Sequence, residues 1–298
     1  MKRATRDVSG ILLLDKPAGL SSNAALQRVR RLYDADKAGH TGSLDPLATG
    51  LLPICLGRAT RLSGYLLDAD KRYRVRAAVG TCTATADAEG QPVRHSDASK
   101  LTRPALEAVL QTFLGETLQR PPMYSALKHQ VRRLYELARQ GLEVEREART
   151  VHIARLELTG FGAGFFELDV RCSKGTYIRS LVEDLAAAVG QCAHVAALRR
   201  LEAGPFREAD MVTASCLEET AEQGSAALDA LLRDPLAGLQ GWPQIEVDSD
   251  QARRLAQGQA VALGAVPGRA AVVDARRRLL GIGEVDSAGV LAPRRWLS

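Results

Sequence analysis

The chain has 298 residues, 46% hydrophobic and 25% charged, which excludes wholesale disorder and leaves room for one large core and a smaller second one. Lys and Arg outnumber Asp and Glu by 40 to 35, a formal charge of +5 that permits a polyanionic partner without demanding one. The five cysteines (Cys55, Cys82, Cys172, Cys192, Cys216) are odd in number and dispersed, with no C-x-x-C pair. That pattern argues against a disulfide framework and a zinc site and fits a reducing, cytoplasmic compartment.

From the N-terminus, Ile11-Leu12-Leu13-Leu14 is too short for a signal peptide or a membrane span, so no membrane partner is expected. Residues 10–14 read as a buried strand ending in the turn Asp15-Lys16-Pro17-Ala18-Gly19, and Ser22 reads as an N-cap. Ala25, Leu26, Val29, Leu32 and Tyr33 follow at helical spacing, with Arg28, Arg30 and Arg31 on other faces. Residues 37–50 have no periodicity and read as a long loop, of the kind that often carries function. Residues 59–67 suit a short helix. Residues 71–80 alternate, Tyr73, Val75, Ala77 and Val79 on one face and Arg72, Arg74 and Arg76 on the other, which predicts a strand.

Residues 102–114 predict a helix ending at Gly115, and 134–140 another stopped by Gly141. Two strands, 150–161 and 165–172, are joined by a Gly-rich turn. Thr176 is placed to cap a helix whose buried stripe is Ile178, Leu181, Val182, Leu185, Ala186 and Val189. Residues 213–232 are helical with weak patterning. Residues 234–243, with two prolines and two glycines, read as a linker. Beyond it a short helix (248–257) and strands at 270–274 and 279–285 predict a small β-rich domain. Without regular βαβ alternation, a G-x-G-x-x-G fingerprint or a P-loop, the fold class is α+β.

The segment Gly39-His40-Thr41-Gly42-Ser43-Leu44-Asp45-Pro46-Leu47-Ala48-Thr49-Gly50 puts one carboxylate in a Gly-flanked loop. Pro46 biases Asp45 towards an extended backbone. Two readings are open on these residues: an Asx-turn that caps the loop, which generic reasoning favours, and a carboxylate aimed into a cleft.

This segment resembles the GHTG-x-LDPLATG signature of bacterial TruB-type tRNA pseudouridine-55 synthases, 55 being a tRNA nucleotide number. Four further segments match in family order: Gly10 to Ser22 (GILLLDKPAGLSS), Lys71 to Val75 (KRYRV), Pro121 to His129 (PPMYSALKH) and Cys172 to Leu181 (CSKGTYIRSL). Together they span most of residues 10–206.

The resemblance implies a pseudouridine synthase fold, with a mixed, mainly antiparallel sheet, flanking helices and a C-terminal PUA-like domain. It implies a catalytic domain over 1–240, an insertion at about 120–148 that contacts the T-loop, and an RNA-binding domain over 243–298. Asp45 would be the essential carboxylate, acting on ribose C1′, on the uracil ring, or through a glycal. Arg179 would pair with Asp45, since a guanidinium orients a carboxylate and favours its ionised form. Tyr73 would stack on the base or move a proton, and Tyr177 would be a second pocket tyrosine. His40 would stack in the T-loop as the target base flips out. Lys16 would sit beside the pocket and Leu198 would wall it. The family usually has a Gly-x-Pro-type turn where this chain has Val131-Arg132-Arg133. That departure bears on the shape of the insertion.

The implied enzyme is an intramolecular isomerase of tRNA, monomeric, without guide RNA, cofactor or metal. The alternatives are a guide-dependent dyskerin-type synthase, against which the bacterial-style insertion argues, and a noncatalytic RNA-binding protein, against which the intact set Asp45, Tyr73 and Arg179 argues.

Overall fold

The computed structural model describes residues 5–297 except 126, 131 and 139. The chain divides into two units. One comprises the residues up to Leu44, Leu51–Leu67, and those from Ala203 onward; the other is Asp45–Gly50 with Asp68–Glu202.

In the second unit, strands Ala193–Ala203, Lys71–Val79, Phe165–Cys172, Arg149–Gly162 and Gly115–Gln119 lie in that order in a sheet. The last four pair antiparallel. The alternation read from residues 71–80 sets the register: Tyr73, Val75 and Ala77 lie opposite Val170, Leu168 and Phe166, and all six are buried. On the other face Arg72 forks onto Asp169 with two bonds of 2.8 Å and reaches Glu202 at 3.2 Å, while Arg76 pairs with Glu167 at 2.9 Å. The arginine face is thus laced with carboxylates from neighbouring strands.

Two helices follow their sequence signals. Thr102 caps the helix Arg103–Thr112, which buries Leu106 and Leu110. The helix Ile178–Ala188 buries Ile178, Leu181, Val182, Leu185 and Ala186 of the predicted stripe, while Val189 is its half-buried C-cap, just before Gly190 at φ +72°. Its N-cap position is Tyr177, without a side-chain cap; Thr176 instead donates to Ser173 O at 3.0 Å. Around the insertion, the two-residue strands Lys128–His129 and Arg132–Arg133 pair, and the helix Leu134–Ala138 follows. Val131 lies outside the described residues.

In the first unit, strand Gly10–Lys16 lies between Val212–Thr213 and Thr49–Leu56. It runs two residues past the predicted end and takes Lys16 into the interior, at 0% exposure. Ser21, not Ser22, caps the helix Ser22–Leu32, accepting from Ala24 N–H. Gly224, at φ +101°, splits residues 213–232 into the helices Ala214–Glu222 and Ser225–Ala230. Residues 234–243 are no open linker. Asp234 caps the short turn Pro235–Leu239, Leu239 is 1% exposed, and Gly238 abuts Leu66 and Ile11, where a Cβ would meet side chains at 3.1–3.2 Å. Its leucines anchor what its prolines and glycines suggest is free.

The C-terminal segment forms a five-stranded sheet in the order Gln244–Glu246, Gly268–Val273, Leu279–Val285, Val290–Trp296, Val261–Ala262. The helix Ser249–Ala256 enters through a capping box made by Asp248 and Gln251. One core holds Val247, Leu255, Val272 and Leu291; a second joins Ala271, Ile282 and Leu297 to Ile11, Leu13, Leu51 and Leu62. The mixture of sheets and unevenly spaced helices is the expected α+β class.

Candidate active site

The loop between strands Ala38–His40 and Thr49–Leu56 carries Asp45; both ends of the predicted loop are therefore strand. Ser22, the predicted cap, instead clamps the loop's first half. Its hydroxyl accepts from Leu44 N–H at 2.7 Å and donates to Leu44 O at 2.9 Å. Past Asp45, a turn closes with Ala48 N–H donating to Asp45 O at 3.1 Å. The chain then pairs parallel with Arg199 and Arg200 at Thr49 and Gly50. Gly50 sits at φ +97°, and a Cβ there would lie 2.3 Å from Arg200 O. Only glycine fits so close an approach.

Asp45 presents its carboxylate to a single guanidinium. Arg179 Nε donates to Oδ2 at 2.9 Å and Nη2 donates to Oδ1 at 3.2 Å. The arginine side chain is 4% exposed, the aspartate side chain 38%. The arginine is therefore buried, and its bond partner opens to solvent. Two backbone carbonyls fix the guanidinium further: Nη1 donates to Thr85 O and Nη2 to Tyr124 O, both at 2.7 Å. A second carboxylate, Asp87, stands 3.7 Å from Nε with its side chain 5% exposed. Bidentate charge-assisted pairing of this kind fixes orientation as well as charge.

Asp87 belongs to the turn between strands Thr81–Thr83 and Pro92–His95. Thr83 Oγ1 donates to Asp87 O at 2.6 Å, Glu89 N–H donates to Asp87 Oδ1 at 3.1 Å, and Ala88 and Val195 N–H groups tie the turn to strand Ala193–Ala203. Ala86 holds φ +59° there while 3% exposed, an uncommon conformation for a residue with a Cβ.

The other expected residues divide between the units. Tyr73 is 8% exposed on its strand; burial pushes its phenol above the ordinary value, Arg200 works against that, and the charge of Asp45 adds to it. Tyr177 is half-buried at the start of the helix that carries Arg179. Burial raises its phenol as well, opposed by Ser125 and Arg179 and supported by Asp45. Both tyrosines are thus within electrostatic reach of Asp45. Gln119 fixes the Tyr177 backbone from both sides, accepting from its N–H at 2.7 Å and donating to its O at 3.0 Å. Leu198 is buried, and its carbonyl accepts from Thr49 Oγ1 at 3.5 Å. Lys16 and His40 belong to the first unit. Lys16 Nζ donates to Pro17 O at 2.8 Å and Leu20 O at 2.7 Å. His40 ends its short strand, opposite Ile54.

The comparisons with known proteins agree along the chain. Residues 30–178 match the N-terminal domain of the TruB family of pseudouridylate synthases. Residues 179–238 match the tRNA pseudouridylate synthase B C-terminal domain, and 243–297 the pseudouridine synthase II TruB C-terminal region. The chain belongs to the TruB family. A tRNA pseudouridine synthase B of Stutzerimonas stutzeri is 53% identical over 100% of this chain and 98% of its own length. One of Ectopseudomonas mendocina is 54% identical over the same shares. A solved Cbf5-Nop10-Gar1 complex contains a chain of the same fold, with TM-score 0.76, 24% identity, and 97% of this chain and 85% of that chain covered.

Sequence reasoning about this TruB family member missed Asp87, Gln119, Arg200 and the clamp on Leu44. Asp87 had a weak signal: it directly follows the run Thr81-Cys82-Thr83-Ala84-Thr85-Ala86 and stands three residues before Gly90, where a Cβ would lie 2.3 Å from Thr85 Oγ1. Arg200 is 1% exposed and its charge acts on the Tyr73 phenol, yet it follows another arginine and carries no local signature.

Proposed function

We propose that this chain converts uridine-55 in the T-loop of tRNA to pseudouridine, acting alone. The observation that carries the reading is the Asp45–Arg179 pair: a carboxylate open to solvent, held at both oxygens by a buried guanidinium that two backbone carbonyls also hold. The net reaction breaks the bond from uracil N1 to ribose C1′, turns the ring, and joins C5 to C1′; C5 gives up a proton and N1 gains one. Such a rearrangement needs a carboxylate that can meet C1′ or the ring at a fixed angle, and Arg179 supplies the fixing. Arg179 lies behind the carboxylate, away from solvent, so a substrate can reach Asp45 without displacing its partner.

The uridine must leave its stack first, at a cost of about a few kcal/mol that pocket contacts recover. The Tyr73 ring offers a stacking face, and its phenol, raised by burial, stays protonated at neutral pH and can donate or relay a proton. Tyr177 and Leu198 line the same side in this reading. His40 stacks in the RNA, and Lys16 acts through the turn it holds at Pro17 and Leu20. The insertion at 120–148 grips the T-loop, and the segment 243–298 binds RNA as a PUA-like module. Exposed Arg276, Arg277 and Arg278 offer it phosphate contacts. No helix among the described residues is long and apolar enough to cross a membrane, and a cytoplasmic monomer is the proposed working form.

Pseudouridine mapping tests the proposal directly. Purified protein is incubated with an unmodified tRNA transcript, without guide RNA or added cofactor. Conversion of the single T-loop uridine is expected. Bound but unconverted RNA would overturn the reading.

A further inference from the structure

Two cysteines that are far apart in the sequence meet in the second unit. Cys82 is central in the strand Thr81–Thr83, and Cys192 directly precedes the strand Ala193–Ala203. Arg94, on the paired strand Pro92–His95, spans the two sulfurs. Its Nε donates to Cys192 Sγ at 3.2 Å and its Nη2 to Cys82 Sγ at 3.5 Å. The two sulfurs also act on each other electrostatically, so that the ionisation of either depends on its neighbour. The backbone around them is pinned: Gly80 N–H donates to Cys192 O and Cys192 N–H to Ser96 Oγ, both at 2.8 Å.

A guanidinium N–H therefore reaches Cys192, at a shorter distance than the other reaches Cys82. Such a donor favours a thiolate over a thiol. Burial works to raise the Cys192 thiol, and its neighbours Cys82 and Arg94 bring it below the ordinary cysteine value all the same. Burial raises Cys82, with the neighbouring Cys192 adding to the rise. The remaining buried cysteines differ: burial pushes Cys55 and Cys172 up to about 12, so both stay protonated. Cys82 and Cys192 are 8% and 2% exposed, but Arg94, which bridges their sulfurs, is exposed on a strand whose four residues are all exposed. A small oxidant needs only to displace that side chain. Among the described residues no three His, Cys, Asp or Glu side chains are grouped to hold a metal ion, which favours a dithiol over a metal site.

We propose that Cys192 and Cys82 form a peroxide-reactive dithiol, with Cys192 the attacking sulfur and Cys82 the resolving one, that closes into a disulfide when a hydroperoxide oxidises it. In the first step the Cys192 thiolate attacks the terminal peroxide oxygen. The S–O bond forms, the O–O bond breaks, and the leaving alkoxide or hydroxide takes up a proton. Cys192 is then a sulfenic acid. In the second step the Cys82 sulfur attacks the Cys192 sulfur, the S–S bond forms, and hydroxide leaves with the Cys82 proton as water. The two thiols lose two electrons between them, and the peroxide is reduced by two. The new bond would join the two segments that hold the Asp87 turn, since Thr83 bonds Asp87 O and Val195 bonds Ala86 O.

The test uses the full chain, freed of reductant and treated with hydrogen peroxide, then alkylated in denaturant and mapped by mass spectrometry. A linked Cys82–Cys192 peptide pair, two hydrogens lighter than its reduced parts, is expected while Cys55 and Cys172 remain alkylated. In Cys82→Ser, dimedone should trap a sulfenic acid at Cys192; in Cys192→Ser, Cys82 should label no more than Cys55. Arg94→Gln should slow oxidation of the pair at least about fivefold, as loss of a thiolate-stabilising cation requires. Circular dichroism verifies that each variant is folded. Alkylation of Cys82 and Cys192 equal to that of Cys55 after peroxide, or a folded Cys82→Ser protein with no dimedone at Cys192, or an unchanged oxidation rate in Arg94→Gln, would each overturn the proposal.

Discussion

Replacing Arg179 with lysine should uncouple folding from chemistry by a calculable margin. Arg179 serves four acceptors: both oxygens of Asp45 and the carbonyls of Thr85 and Tyr124, with Asp87 close behind. A lysine ammonium keeps the charge but is a point donor and cannot fork onto Asp45 while holding both carbonyls. The Asp45 share of the stability cost is small, because its side chain is 38% exposed and water screens it. The larger share comes from Asp87, at 5%, and from two carbonyls left without their donor. An orphaned buried acceptor costs about 1–3 kcal/mol, and with partial rescue by the ammonium a total loss of about 2–4 kcal/mol follows. That lowers Tm by roughly 3–6 °C in a chain of this size. The rate should fall further. Asp45 loses its fixed angle, and misplacement of a reacting group by about 1 Å costs on the order of a hundredfold. The assay is tritium release from C5 of uridine in a labelled tRNA transcript at single turnover, beside a melting curve and a tRNA binding curve. Binding should hold while the rate falls. A rate within about threefold of wild type would refute the assignment of Arg179 as the group that orients Asp45.

Three further outcomes follow from the same geometry. Asp87→Asn removes the second carboxylate beside the buried guanidinium; the single-turnover rate should fall about tenfold or more with tRNA affinity unchanged, by the loss of an orienting partner. Gly50→Ala places a Cβ 2.3 Å from Arg200 O at φ +97°, so thermal melting should show destabilisation of about 2–4 kcal/mol, and a melting point equal to wild type would contradict the packing. Glu183 has its carboxyl raised from 4.5 to about 7, chiefly by burial and next by Asp184, with Arg179 and Arg94 opposing. The folded state therefore holds more protons than the unfolded state between pH 4.5 and 7, and stability falls as pH rises through that window. Glu183→Gln should stabilise the protein at pH 7.5 relative to wild type by about 1–2 kcal/mol, and the gain should vanish below pH 4.5; a pH-independent difference in denaturant titrations would contradict it.

Much of the frame was legible because alternation and helical spacing report burial directly. Residues 71–79 and 165–172 pair with Tyr73, Val75 and Ala77 inward as their pattern requires, and the stripe from Ile178 to Ala186 is buried as read. Departures occur where a side chain's use depends on a distant partner. Ser21 and Ser22 are alike as caps, and only the position of Leu44 decides which one clamps the loop. Residues 234–243 have the composition of a linker, yet Leu239 finds a core made by Ile11 and Leu66. Asp45 was visible through its loop and its resemblance. Arg179 needed that resemblance, since helical spacing alone puts it on a surface. Asp87 and the meeting of Cys82 with Cys192 are products of topology, and no local pattern announces them.

The central claim is that the Asp45 carboxylate performs the chemistry. Its most direct test is Asp45→Asn, isosteric and still able to accept from Arg179, measured for pseudouridine formed in a single turnover and for tRNA affinity in the same preparation. The account predicts no detectable product with affinity within about tenfold of wild type, because the charge is lost while the pocket keeps its shape. Pseudouridine at a rate near that of the wild-type enzyme would contradict it.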